Sequence, residues 1–206
     1  MHKAEFFKEF GSTAACTIRL ATGACREGDV FKGDSYFGQV KVAKELKESY
    51  GINSDCIVKS GYAGYPREYL ETTMKDWPAG TSLVLCSCDG DRNVVAIGYK
   101  YHSKTVACFI CTYGTYRTTN GVPYKSKYRS AHGNYATRDI GRPEACTAFY
   151  KAANVIDIHN QQRQGFWKLE RHWKSNCGFF RCITSVIAMH AVDTHLVAEK
   201  CFPSTS

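Results

Sequence analysis

At 206 residues, 44% of them apolar, the chain is long enough for one domain with a real core, or for one domain carrying an insertion. It holds no apolar run near the roughly 18 residues that span a bilayer. Its first ten residues, MHKAEFFKEF, are charged throughout and lack the apolar core of a signal peptide. These features exclude a membrane partner and secretion, and they predict a nuclear or cytoplasmic protein.

Residues 11–23, GSTAACTIRLATG, read as a helix, with Ser12 or Thr13 as cap and Ala15, Ile18 and Leu20 as apolar positions. A short apolar run then ends in Gly33-Asp34-Ser35. It is followed by VKVAKELKESY, in which Val40, Ala43 and Leu46 recur at helical spacing, and Gly51 stops that helix as a C-cap. SDCIVKS (54–60) reads as a buried strand parallel to the first, giving a strand–helix–strand unit. Asp34 thus falls at the carboxyl end of a strand, where ligands and catalytic groups gather in open α/β sheets. Arg67–Lys75 reads as a short helix with Pro66 at or near its first position.

Beyond Pro78 the texture changes. TSLVLCSC (81–88), NVVAIGYKY (93–101) and TVACFICTY (105–113) are β-rich, joined by tight turns such as Asp89-Gly90-Asp91. They predict an antiparallel meander inserted into the parallel sheet or extending it. Residues 114–143 read as a long polar connection. From Glu144 the pattern is helical, with Ala145, Ala148, Phe149, Ala152 and Ile156 in one stripe. A last helix, 179–199, carries Phe179, Ile183, Val186, Ile187, His190 and Val197. His190 and Asp193, three apart on that helix, are expected to form a buried, mutually satisfied pair.

Net charge is +8, and between Tyr99 and Pro143 there are eight cations against one acid, Asp139. Lys100, Lys104, Arg117, Lys125, Lys127, Arg129, Arg138 and Arg142 interleave there with tyrosines, a pattern that suits phosphates and exposed bases. The eleven cysteines are odd in number and irregularly spaced, which favours reduced thiols over a disulfide framework. Cys86 and Cys88 fall on one strand face and Cys108 and Cys111 on opposite faces, as core residues rather than zinc ligands.

Four segments occur in a characteristic order: GDSYFGQVKVAKELKESYG (33–51), NVIDIHNQQRQ (154–164), LERHW (169–173) and FFRCITSVIAMHAVDT (179–194). With them the chain resembles the carboxyl-terminal part of the catalytic domain of piggyBac-like transposases, in the ribonuclease H-like DDE/D superfamily. The resemblance implies an α/β fold: a truncated ribonuclease H-like sheet with flanking helices and a β-rich insertion. It divides the chain into a partial core at 11–76, a basic insertion at 77–143 and a helical return at 144–200. It implies that Asp34 matches the second catalytic carboxylate and Asp157 the third, brought side by side. Asn160 is a further oxygen ligand on the Asp157 face, which also carries Asn154 and Gln161. The implied cofactor is a pair of Mg²⁺ or Mn²⁺ ions, and the implied partner is DNA.

The first catalytic aspartate has no match. The acids before Asp34 are Glu5, Glu9, Glu27 and Asp29, none of them on a strand beside that of Asp34. The expectation is therefore a transposase fragment that is inactive alone, with a free sheet edge open to self-association. The alternative is a domesticated, non-catalytic nucleic-acid-binding module. An unrelated metal-binding fold using the cysteines is a third reading.

Overall fold

The computed structural model describes residues 3–86, 94–102, 104–114, 123–129, 133–166 and 177–202. The chain divides into two compact units, Met1–Tyr150 and Lys151–Ser206. The first unit opens with α1 (Lys3–Phe10) and α2 (Ser12–Ala24). Gly11 takes the N-cap of α2 and no side chain bonds there, so neither Ser12 nor Thr13 is the cap. Strand β1 (Val30–Gly33), helix α3 (Val40–Tyr50) and strand β2 (Asn53–Ile57) follow. Gly51 adopts φ +64° and its N–H bonds to the Leu46 carbonyl, the left-handed C-cap that a side chain would strain.

β1 and β2 pair in parallel, from Val30 opposite Asn53 to Gly33 opposite Cys56. After α4 (Arg67–Thr73) come β3 (Ser82–Cys86), β4 (Val95–His102) and β5 (Thr105–Cys111). These three pair antiparallel in series, and β5 pairs antiparallel with β2. The meander therefore extends the same sheet, in the order β1-β2-β5-β4-β3. β1 is an edge strand, and its outer side pairs with no strand among the described residues.

Strand alternation gives this sheet two covered faces. On one, Cys56, Val58, Cys108 and Ile110 pack with Ala43 of α3 and with Leu70 and Met74 at α4. On the other, Phe109 meets the rings of Phe149 and Tyr150 at 5.4 and 5.9 Å, edge to face. These two residues belong to α5 (Glu144–Gln161). A second cluster joins α2 to α3 through Ala14, Ala15, Ile18, Val42 and Leu46.

The stretch expected as a connection contains a hairpin, β6 (Tyr124–Arg129) with β7 (Tyr135–Ile140). Its alternation is of polar and charged residues, so no apolar period marks it. The expected turn Asp89-Gly90-Asp91, Cys88 and the LERHW segment lie outside the described residues.

In the second unit α5 runs on into a π-helical turn, Gln162–Phe166, and α6 spans Gly178–Cys201. The stripe of α5 is buried at Ala145 and Phe149 but not at Ile156, which is 56% exposed. On α6 the expected inward stripe is reversed. Phe179, Ile183, Val186, Ile187 and Val197 are exposed, while the smaller Thr184, Ala188 and Val192 are buried. Periodicity identifies such a stripe without saying which way it faces. Among the described residues no helix is long and apolar enough to cross a membrane.

Between β1 and α3 the backbone of Gly38 lies against β2 so closely that a Cβ there would sit 1.9 Å from the Ile57 carbonyl oxygen. Backbone cannot yield as a side-chain tip does. Gly38→Ala is expected to cost about 3 kcal/mol in urea unfolding, whereas Gly23→Ala, with open space around it, should leave the midpoint unchanged or raised.

Candidate functional site

Asp34 follows the end of β1 and is exposed to solvent. Its Oδ1 accepts the Tyr36 N–H at 2.9 Å, and its carbonyl accepts the Phe37 N–H at 3.1 Å. The side chain thus builds its own turn, as aspartates do. The Tyr62 hydroxyl, beyond the end of β2, donates to the Tyr36 carbonyl at 3.1 Å. The Phe37 ring packs edge-on against Phe31 of β1 at 5.9 Å. Oδ2 of Asp34 bonds to no described residue.

Asp157 is exposed on the second half of α5, in the second unit, and Asn160 is half-buried one turn on. Asn154 and Gln161 are exposed as well. The expected His190–Asp193 pair is absent. His190 and Asp193 are both exposed, and Asp193 Oδ1 lies 3.1 Å from Nε2 of His159 instead. His159 on α5 reaches it because α5 and α6 are neighbours in this unit, a tertiary contact that spacing along α6 alone does not reveal.

Exposed carboxylate and amide oxygens are the donors that a hydrated Mg²⁺ takes, and such an ion needs only one or two carboxylates because it keeps most of its waters. Asp34, Asp157 and Asn160 fit that chemistry individually. No group of three or more His, Cys, Asp or Glu forms a metal cage among the described residues. The ten described cysteines are free thiols, with Cys108 and Cys111 buried on opposite sheet faces. Burial pushes the Cys111 thiol up to about 12 and Cys108 to about 11, so both are inert as thiolate ligands.

The basic residues separate into three groups. Lys104, Lys125, Lys127 and Arg138 are exposed. Register puts Lys125 and Lys127 on the hairpin face of Asp139 and Thr137, and Arg138 on the other face with Ala136 and Ile140. Arg142 stacks its guanidinium 4.7 Å from the Tyr150 ring centroid. Lys100 must be withdrawn from the phosphate-facing set. It is 2% exposed, and its ammonium donates to the carbonyls of Met74, at 2.7 Å, and Lys75. It therefore satisfies orphan carbonyls at the end of α4. Arg129 ends β6 and Arg117 lies outside the described residues.

A buried polar cluster carries no motif that marks it. Lys32 of β1 and Asp55 of β2 are register partners, and Lys32 Nζ donates to Asp55 Oδ2 at 3.0 Å and to the Tyr113 hydroxyl at 2.7 Å. Asp55 is fully buried and Lys32 is 22% exposed. Asp55 Oδ1 has no partner among the described residues. Burial raises the Asp55 pKa, although Lys32 and Tyr113 pull it back down. The available signal was a charge of each sign at matching positions of two short strands.

No protein-family model matches the chain, and no curated protein does. Among solved structures it is similar to a piggyBac transposase in a synaptic complex with hairpin DNA. The identity is 15% and the TM-score 0.52, over 94% of this chain. The chain spans 36% of that transposase's length. The likeness shows the fold: a mixed five-stranded sheet flanked by helices, of the ribonuclease H-like kind.

Removing Lys32 strands the Asp55 carboxylate. Lys32→Met is expected to cost about 3 kcal/mol at pH 7, and Lys32→Met with Asp55→Leu to recover at least half of that. Asp55's folded pKa is raised, so its unfavourable contribution is absent below the unfolded value of about 4 and grows as pH rises through the folded one. The deficit of Lys32→Met should accordingly narrow as thermal melts are taken toward pH 4.

Proposed function

We propose that this chain derives from a piggyBac-like transposase and acts on DNA. Asp34 and Asp157 are its second and third catalytic carboxylates, and Asn160 is an added oxygen ligand. The observation that carries the reading is Asp34 itself. It is an exposed carboxylate fixed at the carboxyl end of a parallel strand, in a fold shared with a transposase solved on hairpin DNA. Mg²⁺ or Mn²⁺ held there would activate an attacking oxygen and stabilise a leaving one. The Tyr36 N–H holds one carboxylate oxygen of the exposed Asp34, so the group is oriented before any ion arrives. The exposed cations Lys104, Lys125, Lys127 and Arg138 are assigned to the phosphate backbone, with Arg117 and Arg129 as further members of the basic stretch, whereas Arg142 is taken up by Tyr150.

The resemblance calls for one more carboxylate on a strand beside β1, and among the described residues no strand takes that side. Asp29 does not substitute for it, because it leads into β1, the strand that Asp34 itself follows. The 206-residue chain by itself is therefore proposed to bind DNA without cutting it. A non-catalytic nucleic-acid-binding role is the second reading, favoured by the exposed cations of the β6–β7 hairpin, Lys125, Lys127 and Arg138.

The purified chain is expected to give no Mg²⁺- or Mn²⁺-dependent nicks in plasmid DNA. Nicking that disappears with Asp34→Asn would show a complete enzyme. Under the transposase reading Mg²⁺ tightens DNA binding and Asp34→Asn removes that gain. Under the second reading neither the ion nor Asp157→Ala matters. In either case Lys125→Gln with Lys127→Gln should reduce the slope of log affinity against log salt by about two. An unchanged slope would take the hairpin out of the interface.

A further inference from the structure

Next to Asp34 stands a side chain that the fold does not use. Tyr36 is 53% exposed, yet its backbone is held on both sides, its N–H by Asp34 Oδ1 at 2.9 Å and its carbonyl by the Tyr62 hydroxyl at 3.1 Å. Its ring meets the Phe37 ring edge to face at 5.2 Å, and about half of the residue stays exposed. A large aromatic left in water gives up burial free energy, and a fixed backbone lowers what it would lose on meeting a ligand. Lys59 and Ser60, exposed, follow β2 at the same end of the sheet where Asp34 follows β1, because those strands run parallel. Tyr62 also lines a groove of about 540 Å³ with Gln39, Val40 and Lys41.

We infer that the rim formed by Tyr36, Lys59 and Tyr62 is a subsite for an unpaired nucleotide of single-stranded DNA, with the base stacked on Tyr36 and a phosphate near Lys59. An aromatic side chain with an exposed cation at the same end of the sheet suits a base and its phosphate. Every base has a π-face, so the contact carries no sequence preference. In a duplex the bases are stacked on one another and closed to the ring, which makes the subsite selective for unpaired strands. The inference rests on the reading that this chain handles DNA, and it assigns a role that a phosphate-binding hairpin does not supply.

The test is fluorescence anisotropy of the full chain, without divalent ions, against a short single-stranded oligonucleotide and its duplex. Tyr36→Ala is expected to weaken the single strand about ten-fold, with the duplex unchanged and Tyr36→Phe retaining normal binding. Equal loss on both DNAs, no loss, or an equal loss in Tyr36→Phe would overturn the subsite while leaving DNA binding intact. If the unaltered chain binds neither DNA, the subsite and the DNA reading fall together. Should Tyr36→Ala not fold, a strand containing 2-aminopurine bound to the unaltered protein reads the same contact. Quenching of its fluorescence supports the subsite, and unchanged emission overturns it.

Discussion

The approach of Gly38 to the Ile57 carbonyl fixes the part of this molecule from which its chemistry is argued. With no room for even a methyl group there, the start of α3 is pressed onto the end of β2. The residues between Gly33 and Gly38 must then close in one tight turn. Asp34 supplies a hydrogen bond that closes it, while the residue itself stays exposed. A constraint of backbone packing therefore determines where a carboxylate can meet a ligand. Phe31 and Phe37 reinforce the turn from beneath, and Tyr62 ties it to the segment after β2.

The strong positive charge of the sequence does not all reach the surface in usable form. Lys32 is consumed by Asp55 and Tyr113, Lys100 by the carbonyls at the end of α4, and Arg142 by stacking on Tyr150. Lys32 is paired with an acid, Lys100 is hydrogen-bonded to carbonyls and Arg142 is packed on a ring, so each has a local use. Within the basic stretch Lys104, Lys125, Lys127 and Arg138 remain exposed. The total of +8 therefore overstates the charge that this stretch presents at the surface.

The parallel unit was legible because two signals agree there. Period-3.6 apolar residues run from Val40 to Leu46, and Gly51 ends them in the left-handed conformation that glycine allows. The meander was legible from its β-branched runs, although only the register shows that β5 adds to β2 and extends the sheet. The hairpin at 124–140 stayed hidden because lysines, a serine and tyrosines fill its first strand, and an exposed ribbon needs no apolar face. Lys100 was misread because a lysine's sequence neighbours do not reveal a helix end 25 residues earlier that needs a donor. The reversed stripe of α6 and the His159–Asp193 contact fail for the same reason: both depend on which element lies opposite, and helical spacing is silent on that. The position of Asp34 after β1 was legible through a short motif set in a strand–turn–helix frame. Tyr36 lay within the same motif, but only its fixed backbone and open ring distinguish it.

The central claim is that Asp34, with its turn already folded, is a carboxylate that takes a divalent cation, and that Asp157 is another. Paramagnetic line broadening by sub-stoichiometric Mn²⁺ in amide NMR spectra of the chain tests it most directly. The account predicts that the amides of 33–37 and those flanking Asp157 broaden first, and that Asp34→Asn abolishes the effect at 33–37. Broadening concentrated on other acids, with the Asp34 turn sharp throughout, would contradict it.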